Sequence, residues 1–288
     1  SSPMMVALLT ALWCASFAAA APAATTSGCY NNCTHLHVVD GFLVEPSGRK
    51  LHVGSNFSAI GELLSTHLLP VGGLPGLDAN ESTMRHLTLT GSYVADVPLN
   101  LPSRLHFKLN GKVYGNNLTA ATLGPNACPY GFQYFGRCAL VKIRGSFVSV
   151  TGGEYTAAGG TAFGISCEGC SNVLVQNLTV SGASQGNIHF FGSGPALEIR
   201  NVEGFNSNRG VWSQTPSHKV LITGCFFHHN GGDGVDLDSF SKNVMVRSNR
   251  LENNHRCGVF VEEGASDNII IDNYMFNNTF GVALCEPC

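Results

Sequence analysis

Short apolar runs recur along the C-terminal half of the chain at intervals of about 24 residues. Each repeat opens with one run, and a second short strand pattern follows later in the same repeat. The opening runs are Phe147–Val150, Asn172–Val175, Ala196–Ile199, Lys219–Ile222, Asn243–Val246 and Asn268–Ile271. The second patterns are centred on Ile165, Ile188, Val211, Val235, Val259 and Val282. Short strands at such a period predict a β-solenoid, because stacked repeats bury apolar faces that one repeat cannot bury alone.

Asparagines recur just before the second strand pattern. Asn206, Asn230 and Asn254 each lie four residues before a glycine that opens this pattern, and Asn278 lies three residues before. In a stack of coils they would fall in line, and their amides would hydrogen-bond from coil to coil. We therefore predict an asparagine ladder inside the turns.

The N-terminal part of the chain does not repeat. Residues 25–85 contain one amphipathic pattern from Ala59 to Leu69, with the polar start Asn56–Ser58 and a stop at Pro70. We predict a helix there that caps the solenoid. Strand alternation begins at His86, so the solenoid domain is predicted over residues 86–288.

The first 24 residues have the pattern of a signal peptide. Residues 4–21 are apolar and uncharged, and small residues and Pro22 follow. An uncleaved membrane anchor is the alternative interpretation. Six N-glycosylation sequons agree with export, and we predict a secreted glycoprotein; they are Asn32, Asn56, Asn80, Asn117, Asn177 and Asn277.

The cysteines suit an oxidising compartment. Removing the signal segment removes Cys14 and leaves ten of the 11 cysteines. Four close pairs predict local disulfides, namely Cys29/Cys33, Cys128/Cys138, Cys167/Cys170 and Cys285/Cys288. The two C-x-x-C pairs are too far apart for a zinc ribbon. Cys225 and Cys257 have no obvious partner and are predicted to be buried thiols.

Composition argues against nucleic acid as a partner. Charged residues make up 12% of the chain and the formal net charge is −3, so no basic surface for nucleic acid is expected. The 34 glycines favour a turn-rich β fold. We expect a monomer.

The sequence resembles the pectin-lyase-like proteins, which fold as a right-handed parallel β-helix. Gly91–Tyr93, Leu101–Ser103 and Leu109–Gly111 look like the first coils of that family, and the repeats from residue 147 to the end look like its generic coils. The resemblance implies an all-β, right-handed parallel β-helix with an N-terminal capping helix. It also implies binding or cleavage of acidic or neutral polysaccharides along one sheet.

Strand alternation indicates which side chains leave the core. If the centres of the second patterns point inward, the residues that follow them point outward. One outward column is then Ser166, His189, Trp212, Asp236, Phe260 and Ala283. A second column, two residues on, is Glu168, Phe191, Gln214, Asp238, Glu262 and Cys285.

These columns predict a solvent-facing carbohydrate groove with carboxylates at its centre. The predicted catalytic residues are Asp236, Asp238 and Glu262. The two aspartates would lie roughly 6.5–7 Å apart, near the roughly 6.5–9.5 Å of inverting glycoside hydrolysis. The predicted substrate-binding residues are Trp212, His189, Phe191, Gln214, Phe260 and Arg209.

Two alternatives stay open for this chemistry. The three carboxylates could recruit Ca²⁺ for a β-elimination, with Arg209, Arg256 or His189 as base. The aspartates could also be ordinary solvated surface, and the protein a non-catalytic glycan-binding or structural cell-surface protein. An ice-binding solenoid ranks last, since the repeats carry no column of threonines. His35, His37, His228 and His229 are interpreted as turn or surface residues.

Comparison with polygalacturonases narrows the expected enzymatic activity. Asp233–Asp236 resembles the first motif of that family, but Arg256–Cys257 stands at its paired-aspartate position and Thr279–Gly281 at its G-H-G position. The resemblance therefore does not imply pectin hydrolysis of that kind. A secreted lyase or glycoside hydrolase acting on another polysaccharide is the leading hypothesis.

Overall fold

The computed structural model describes residues 35–44, 49–65, 84–123, 138–214 and 216–285. These residues form an all-β solenoid of about eight turns, as the repeat pattern predicts. Each turn contributes strands to two sheets, one of eight strands and one of 15. The predicted signal peptide, residues 1–24, lies outside the described residues.

The eight-stranded sheet contains the second strand pattern of each repeat. Its members are β5 (Leu99–Leu101), β7 (Ala139–Ile143), β10 (Phe163–Glu168), β12 (Gly186–Phe191), β14 (Val211–Gln214), β17 (Val235–Leu237), β20 (Cys257–Val261) and β23 (Phe280–Leu284). They pair in parallel in this order. Parallel pairing of successive turns is the defining geometry of a stacked solenoid.

The 15-stranded sheet contains the opening runs and the strands that follow them. Its members are β1 (His35–Val39), β2 (Phe42–Val44), β3 (Lys50–His52), β4 (Arg85–Ala95), β6 (Leu105–Asn116), β8 (Val148–Thr151), β9 (Glu154–Ala158), β11 (Val173–Ser181), β13 (Leu197–Phe205), β15 (His218–Thr223), β16 (Phe226–His228), β18 (Lys242–Arg247), β19 (Arg250–Glu252), β21 (Ile269–Ile271) and β22 (Tyr274–Phe276). The antiparallel strands β2 and β3 form its N-terminal edge.

The core is a stack of aliphatic residues inside the coils. Ile165, Ile188, Val211, Val235 and Val259 pair in register and are at most 1% exposed. The inward orientation assigned to them from alternation is therefore confirmed.

The asparagine ladder is present, with one correction. Asn254 Oδ1 accepts from Asn230 Nδ2 at 2.9 Å, and Asn278 Oδ1 accepts from Asn254 Nδ2 at 3.0 Å. Below Asn230 the ladder continues at Ser207, whose backbone N–H donates to Asn230 Oδ1, and not at Asn206. Asn206 instead occupies a left-handed corner with φ 52°. Three of the four predicted members are thus correct. The fourth, Asn206, lies one residue before the ladder position, which Ser207 occupies.

The N-terminal helix is shorter than predicted. Helix α1 spans Phe57–Leu63, and Asn56 caps it by accepting from Ala59 N at 3.2 Å. It buries Phe57, Ile60 and Leu63 in the core. The predicted end near Leu69 lies outside the described residues, and a capping role for α1 stays a prediction. A second short helix, α2, spans Ala120–Leu123. None of the helices in the described ranges is long and apolar enough to cross a membrane.

The solenoid begins earlier in the chain than strand alternation indicates. Strand β1 runs parallel to β4, with His35 opposite His86 and Val39 opposite Thr90. The segment of residues 25–85, predicted not to repeat, therefore adds the three strands β1, β2 and β3 to the large sheet. About 50 residues separate β1 from its partner, so no repeat period reveals it.

The cysteines follow the predicted pattern where they are described. Cys167 and Cys170 form a disulfide, and Cys225 and Cys257 are free and buried. Cys138 and Cys285 are also disulfide-bonded. The predicted partners Cys128 and Cys288, and the pair Cys29/Cys33, lie outside the described residues.

Candidate functional site

The two predicted outward columns lie on one face of the eight-stranded sheet. Ser166, His189, Trp212, Asp236, Phe260 and Ala283 pair one after another across six successive strands. The second column follows the same stacking, since Glu168 pairs with Phe191, and Phe191 with Gln214. Backbone hydrogen bonds from Asp238 N to Ser213 O and from Glu262 N to Leu237 O continue it. The register assigned from the sequence is confirmed.

The expected exposure of this face is wrong. Asp236 and His189 are fully buried, Trp212 is 4% exposed, and Asp238, Gln214 and Phe260 are at most 8% exposed. Trp212 packs with Ala139, Ala162 and Phe163 in an apolar cluster separate from the main core. The predicted residues thus form a packed polar and aromatic outer layer, with Glu262, Phe191 and Arg209 only partly exposed.

Long arginine side chains explain part of this burial. The Arg209 guanidinium lies 4.2 Å from the centroid of the Trp212 ring, and Arg256 lies 3.9 Å from that of Phe260. Each arginine, which lies just before a strand, therefore covers the aromatic ring that follows it in the same coil in a cation–π contact. Alternation along one strand predicts the ring positions, but not their coverage by a long side chain from the turn before the strand.

Asp236 is held between the two arginines. Arg209 Nε pairs with Asp236 Oδ2, and Arg256 Nη2 lies 3.7 Å from the same oxygen. Burial raises the pKa of Asp236 well above its usual value, Asp233 and Glu262 act in the same direction, and Arg209 opposes them. The second oxygen, Oδ1, is buried and has no hydrogen-bond partner among the described residues.

Asp233 and Arg256 form the second ion pair of the outer layer. Arg256 Nε lies 2.9 Å from Asp233 Oδ1, and Arg256 Nη2 pairs with Asp233 Oδ2. Cys257 N also donates to Asp233 Oδ1 at 3.1 Å. The sequence indicated Arg256 only as an alternative base and Asp233 only as part of a motif, and it did not predict that the two side chains pair. The sequence feature that could have predicted this pair is an aspartate and an arginine 23 residues apart, which is close to the length of one coil.

Asp238 and Glu262 lie on adjacent coils. Trp212 Nε1 donates to Asp238 Oδ2 at 3.1 Å, and Ser239 Oγ donates to Asp238 Oδ1 at 2.9 Å. Burial raises the pKa of Glu262, Asp238 adds to the rise, and Arg256 and Arg209 oppose it. Glu262 is therefore a partly exposed carboxyl that holds its proton at higher pH than a free glutamate, as a general acid does.

His189 is part of the layer's hydrogen-bond network. Its Nδ1 lies 3.2 Å from Ser166 Oγ and its Nε2 lies 3.2 Å from Gln214 Oε1. The Phe163 ring stacks on it at 4.2 Å between centroids. Because Gln214 and His189 contact each other and are buried, their predicted role in binding would need a ligand to reach them through the layer.

Another buried charge, Lys142, lies one coil before Ser166 in line with the first column. Lys142, only 2% exposed, lies 3.0 Å from Glu168, and Arg144 lies 3.2 Å from it. Burial lowers the pKa of Lys142 and Glu168 opposes this. This pair also went unpredicted, since Lys142 lies in a strand where alternation gives no reason to single it out.

The residues present do not fit a calcium site. Within the described ranges, no group of three or more His, Cys, Asp or Glu side chains is arranged to hold a metal ion. Asp236 Oδ2 and both oxygens of Asp238 are directed to Arg209, Trp212 and Ser239. A hard cation would have to displace these donors.

Comparison with known proteins agrees with the fold. Residues 163–287 match a family described as a right handed beta helix region, which confirms the predicted resemblance over strands β10 to β23. No curated protein sequence was found to match the chain.

Two solved structures have similar chains. A double mutant of the periplasmic alginate epimerase AlgG is 15% identical, with a TM-score of 0.32, over 70% of this chain and 65% of its own. The tailspike protein of E. coli bacteriophage HK620 in complex with a pentasaccharide is 11% identical, with a TM-score of 0.43, over 85% of this chain and 57% of its own. The chain thus spans less than two thirds of the length of either protein.

Proposed function

We propose, from the match of residues 163–287 to a right handed beta helix region, that this is a secreted protein that binds and acts on an acidic polysaccharide. The ligand would lie across the coils over the outer layer of the eight-stranded sheet. The observation that carries the proposal is the pair of arginines, Arg209 and Arg256, that converge on Asp236.

Burying these charges needs a reason other than stability. A buried ion pair contributes little net stability, because desolvation offsets most of the Coulomb attraction. The Arg209 side chain is 16% exposed and the Arg256 side chain is 41% exposed, so both side chains are partly accessible from the surface of the layer. A planar guanidinium matches the geometry of a carboxylate, and this favours a uronate over a neutral sugar.

Glu262 is the side chain best placed to transfer a proton. It is partly exposed, whereas Asp236 and Asp238 are buried. Its raised pKa leaves a larger protonated fraction near neutral pH, as donation to a glycosidic oxygen requires. Asp238, next to it in the stack, maintains that rise and would stabilise positive charge on the sugar.

The experiment is a panel of uronate and neutral polysaccharides incubated with the full chain, with and without a chelator. Unsaturated ends would identify a lyase, and new reducing ends alone a hydrolase. Glu262→Gln should lose turnover and keep binding, whereas Glu198→Gln on the other sheet should change neither. No product and no binding with any uronate polymer would overturn the proposal.

A non-catalytic glycan-binding protein is the second candidate. It is favoured by the burial of Asp236 and Asp238, which places two of the three predicted catalytic carboxyls away from solvent. Binding of a uronate polymer without any product, together with unchanged binding in Glu262→Gln, would support this candidate.

A further inference from the structure

A polar cavity, largely open to solvent, lies on the 15-stranded sheet and not on the eight-stranded sheet that carries the outer layer. It has a volume of about 450 Å³ and is lined by Lys112, Glu154, Asn177, Thr179, Asn201 and Glu203, with two glycines among the other lining residues. We propose that Asn177 is N-glycosylated and that the first N-acetylglucosamine of its glycan lies in this cavity.

Asn177 has the position that the modification requires. It begins the sequon Asn177–Thr179 and occupies a left-handed corner within β11, with φ 54°. The corner directs Leu178 into the core, where it is 4% exposed, and leaves Asn177 exposed. The recognition residue Thr179 points outward and lines the same cavity. A glycan can therefore be attached without unfolding the coil.

The amide of Asn177 is oriented for attachment. Its Oδ1 accepts from Asn201 Nδ2, the equivalent corner residue of the next coil, at 3.3 Å. Its Nδ2, the atom that bonds to the sugar, makes no hydrogen bond within the described ranges. Asn277, by contrast, donates from Nδ2 to Asn253 at 2.7 Å.

The preceding coils leave space beside Asn177. Gln176 pairs with Thr151 and Thr179 with Glu154, so Gly152 and Gly153 lie opposite the corner. Gly111 lines the cavity one coil further on, beside the ion pair of Lys112 and Glu154 at 2.7 Å. Glycines have no side chains to fill the space, and the ion pair supplies donors and acceptors for sugar hydroxyls and the acetamido group.

The cavity does not resemble the outer layer in charge. Its Lys112 is paired with Glu154, and Glu203 lies 3.3 Å from His228 Nε2. The lining carries one cation, Lys112, and two carboxylates, so it does not favour an acidic sugar, whereas its amides and hydroxyl suit an uncharged sugar such as N-acetylglucosamine. The inference rests on export of the chain but not on any catalytic activity of the outer layer.

The test is site-resolved mass spectrometry of the full chain secreted from a host that performs N-glycosylation. We expect Asn177 to be occupied. Asn177→Gln and Thr179→Val should each remove one glycan, and the matched control Asn201→Gln should remove none. An unmodified Asn177 in secreted chains that carry a glycan at another sequon would overturn the proposal.

A second measurement tests whether the first sugar lies in the cavity. Enzymatic removal of the Asn177 glycan should be several-fold slower from the folded chain than from the denatured chain, because the first sugar packs against the lining of the open cavity. Lys112→Ala and Glu203→Gln should speed removal from the folded chain. Equal rates from folded and denatured wild-type chains would show that the glycan extends into solvent and would overturn the placement.

Discussion

The indole N–H of Trp212 donates to Asp238 Oδ2 at 3.1 Å, although 26 positions separate the two residues. The bond crosses from one coil to the next and joins the two columns of the outer layer. Trp212 thereby serves both an apolar cluster with Phe163 and a buried carboxylate. A tryptophan is well suited to this, since one end of its ring is apolar and the other donates a hydrogen bond.

Trp212→Phe should therefore destabilise the fold although it keeps an aromatic ring in place. Asp238, 6% exposed, would lose a donor to its charged oxygen, which costs about 1.5–3 kcal/mol. Urea unfolding measures the change in the free energy of unfolding. Asp238→Asn is the matched control, since its amide oxygen can still accept from the indole, and it should cost less. An unchanged free energy of unfolding in Trp212→Phe would contradict the assigned bond.

Arg256→Ala should also destabilise the protein, because it leaves Asp233 fully buried without its cation. Breaking a buried pair costs about 3–5 kcal/mol, and the 41% exposure of Arg256 places the expected loss near the lower end. Adding Asp233→Asn should restore part of the loss, since the remaining charge is removed. If the double variant is as unstable as the sum of the single variants, the two side chains do not interact.

Asn254→Ala should interrupt the asparagine ladder. Asn254 Oδ1 accepts from Asn230 Nδ2, and Asn254 Nδ2 donates to Phe227 O at 3.2 Å, all in buried surroundings. Each group left unsatisfied costs about 1–3 kcal/mol, so the total loss should reach at least about 3 kcal/mol. Asn206→Gly is the control: it lies outside the ladder, its left-handed corner suits glycine, and its cost should stay within about 0.5 kcal/mol. Equal losses in the two variants would contradict the ladder.

The first coils should lose stability on acidification. His35 and His86 stack at 4.3 Å between ring centroids, and His86 and His106 lie 4.7 Å apart. Burial lowers the pKa of His86 below its ordinary value of 6.5, and His35 and His106 lower it further. The unfolded chain then binds more protons just below pH 6.5, so stability falls as the pH drops from 6.5 towards the lowered pKa of His86.

Thermal melts between about pH 7 and about pH 5 measure this effect. His86→Phe keeps the stack and removes the titrating group, so its melting temperature should fall less over this range. His255→Gln, at an exposed turn, should follow the wild type. The expectation fails if the melting temperature of the wild type and of His86→Phe falls equally.

Periodicity predicted much of this molecule because a solenoid repeats its own local geometry. Alternation fixed the inward column from Ile165 to Val259 and the outward column from His189 to Phe260, and both are in register. In a parallel stack, residues at equal positions in successive repeats must become neighbours, so register follows from the period alone.

Strand alternation and the repeat period did not predict that the outer layer is buried. Whether Trp212 is exposed depends on where the Arg209 side chain lies, and its cation–π contact at 4.2 Å involves a long side chain with many rotamers. The ladder error at Asn206 has a related cause. The ladder residue Ser207 lies three residues before Gly210, whereas Asn230 lies four residues before Gly234. Counting back four residues from Gly210 therefore selects Asn206 instead of Ser207.

The ladder at Asn230, Asn254 and Asn278 repeats at intervals of 24 residues, and each member bonds to the ladder residue of the adjacent coil. A coil of this kind is a self-contained unit: its lower face offers acceptors and its upper face offers the matching donors. Removing or duplicating one whole interval would bring equivalent faces together again, whereas a change of any other length would misalign every strand beyond it. Evolution could therefore lengthen or shorten this molecule in single steps, and with it the stretch of ligand that the outer layer spans.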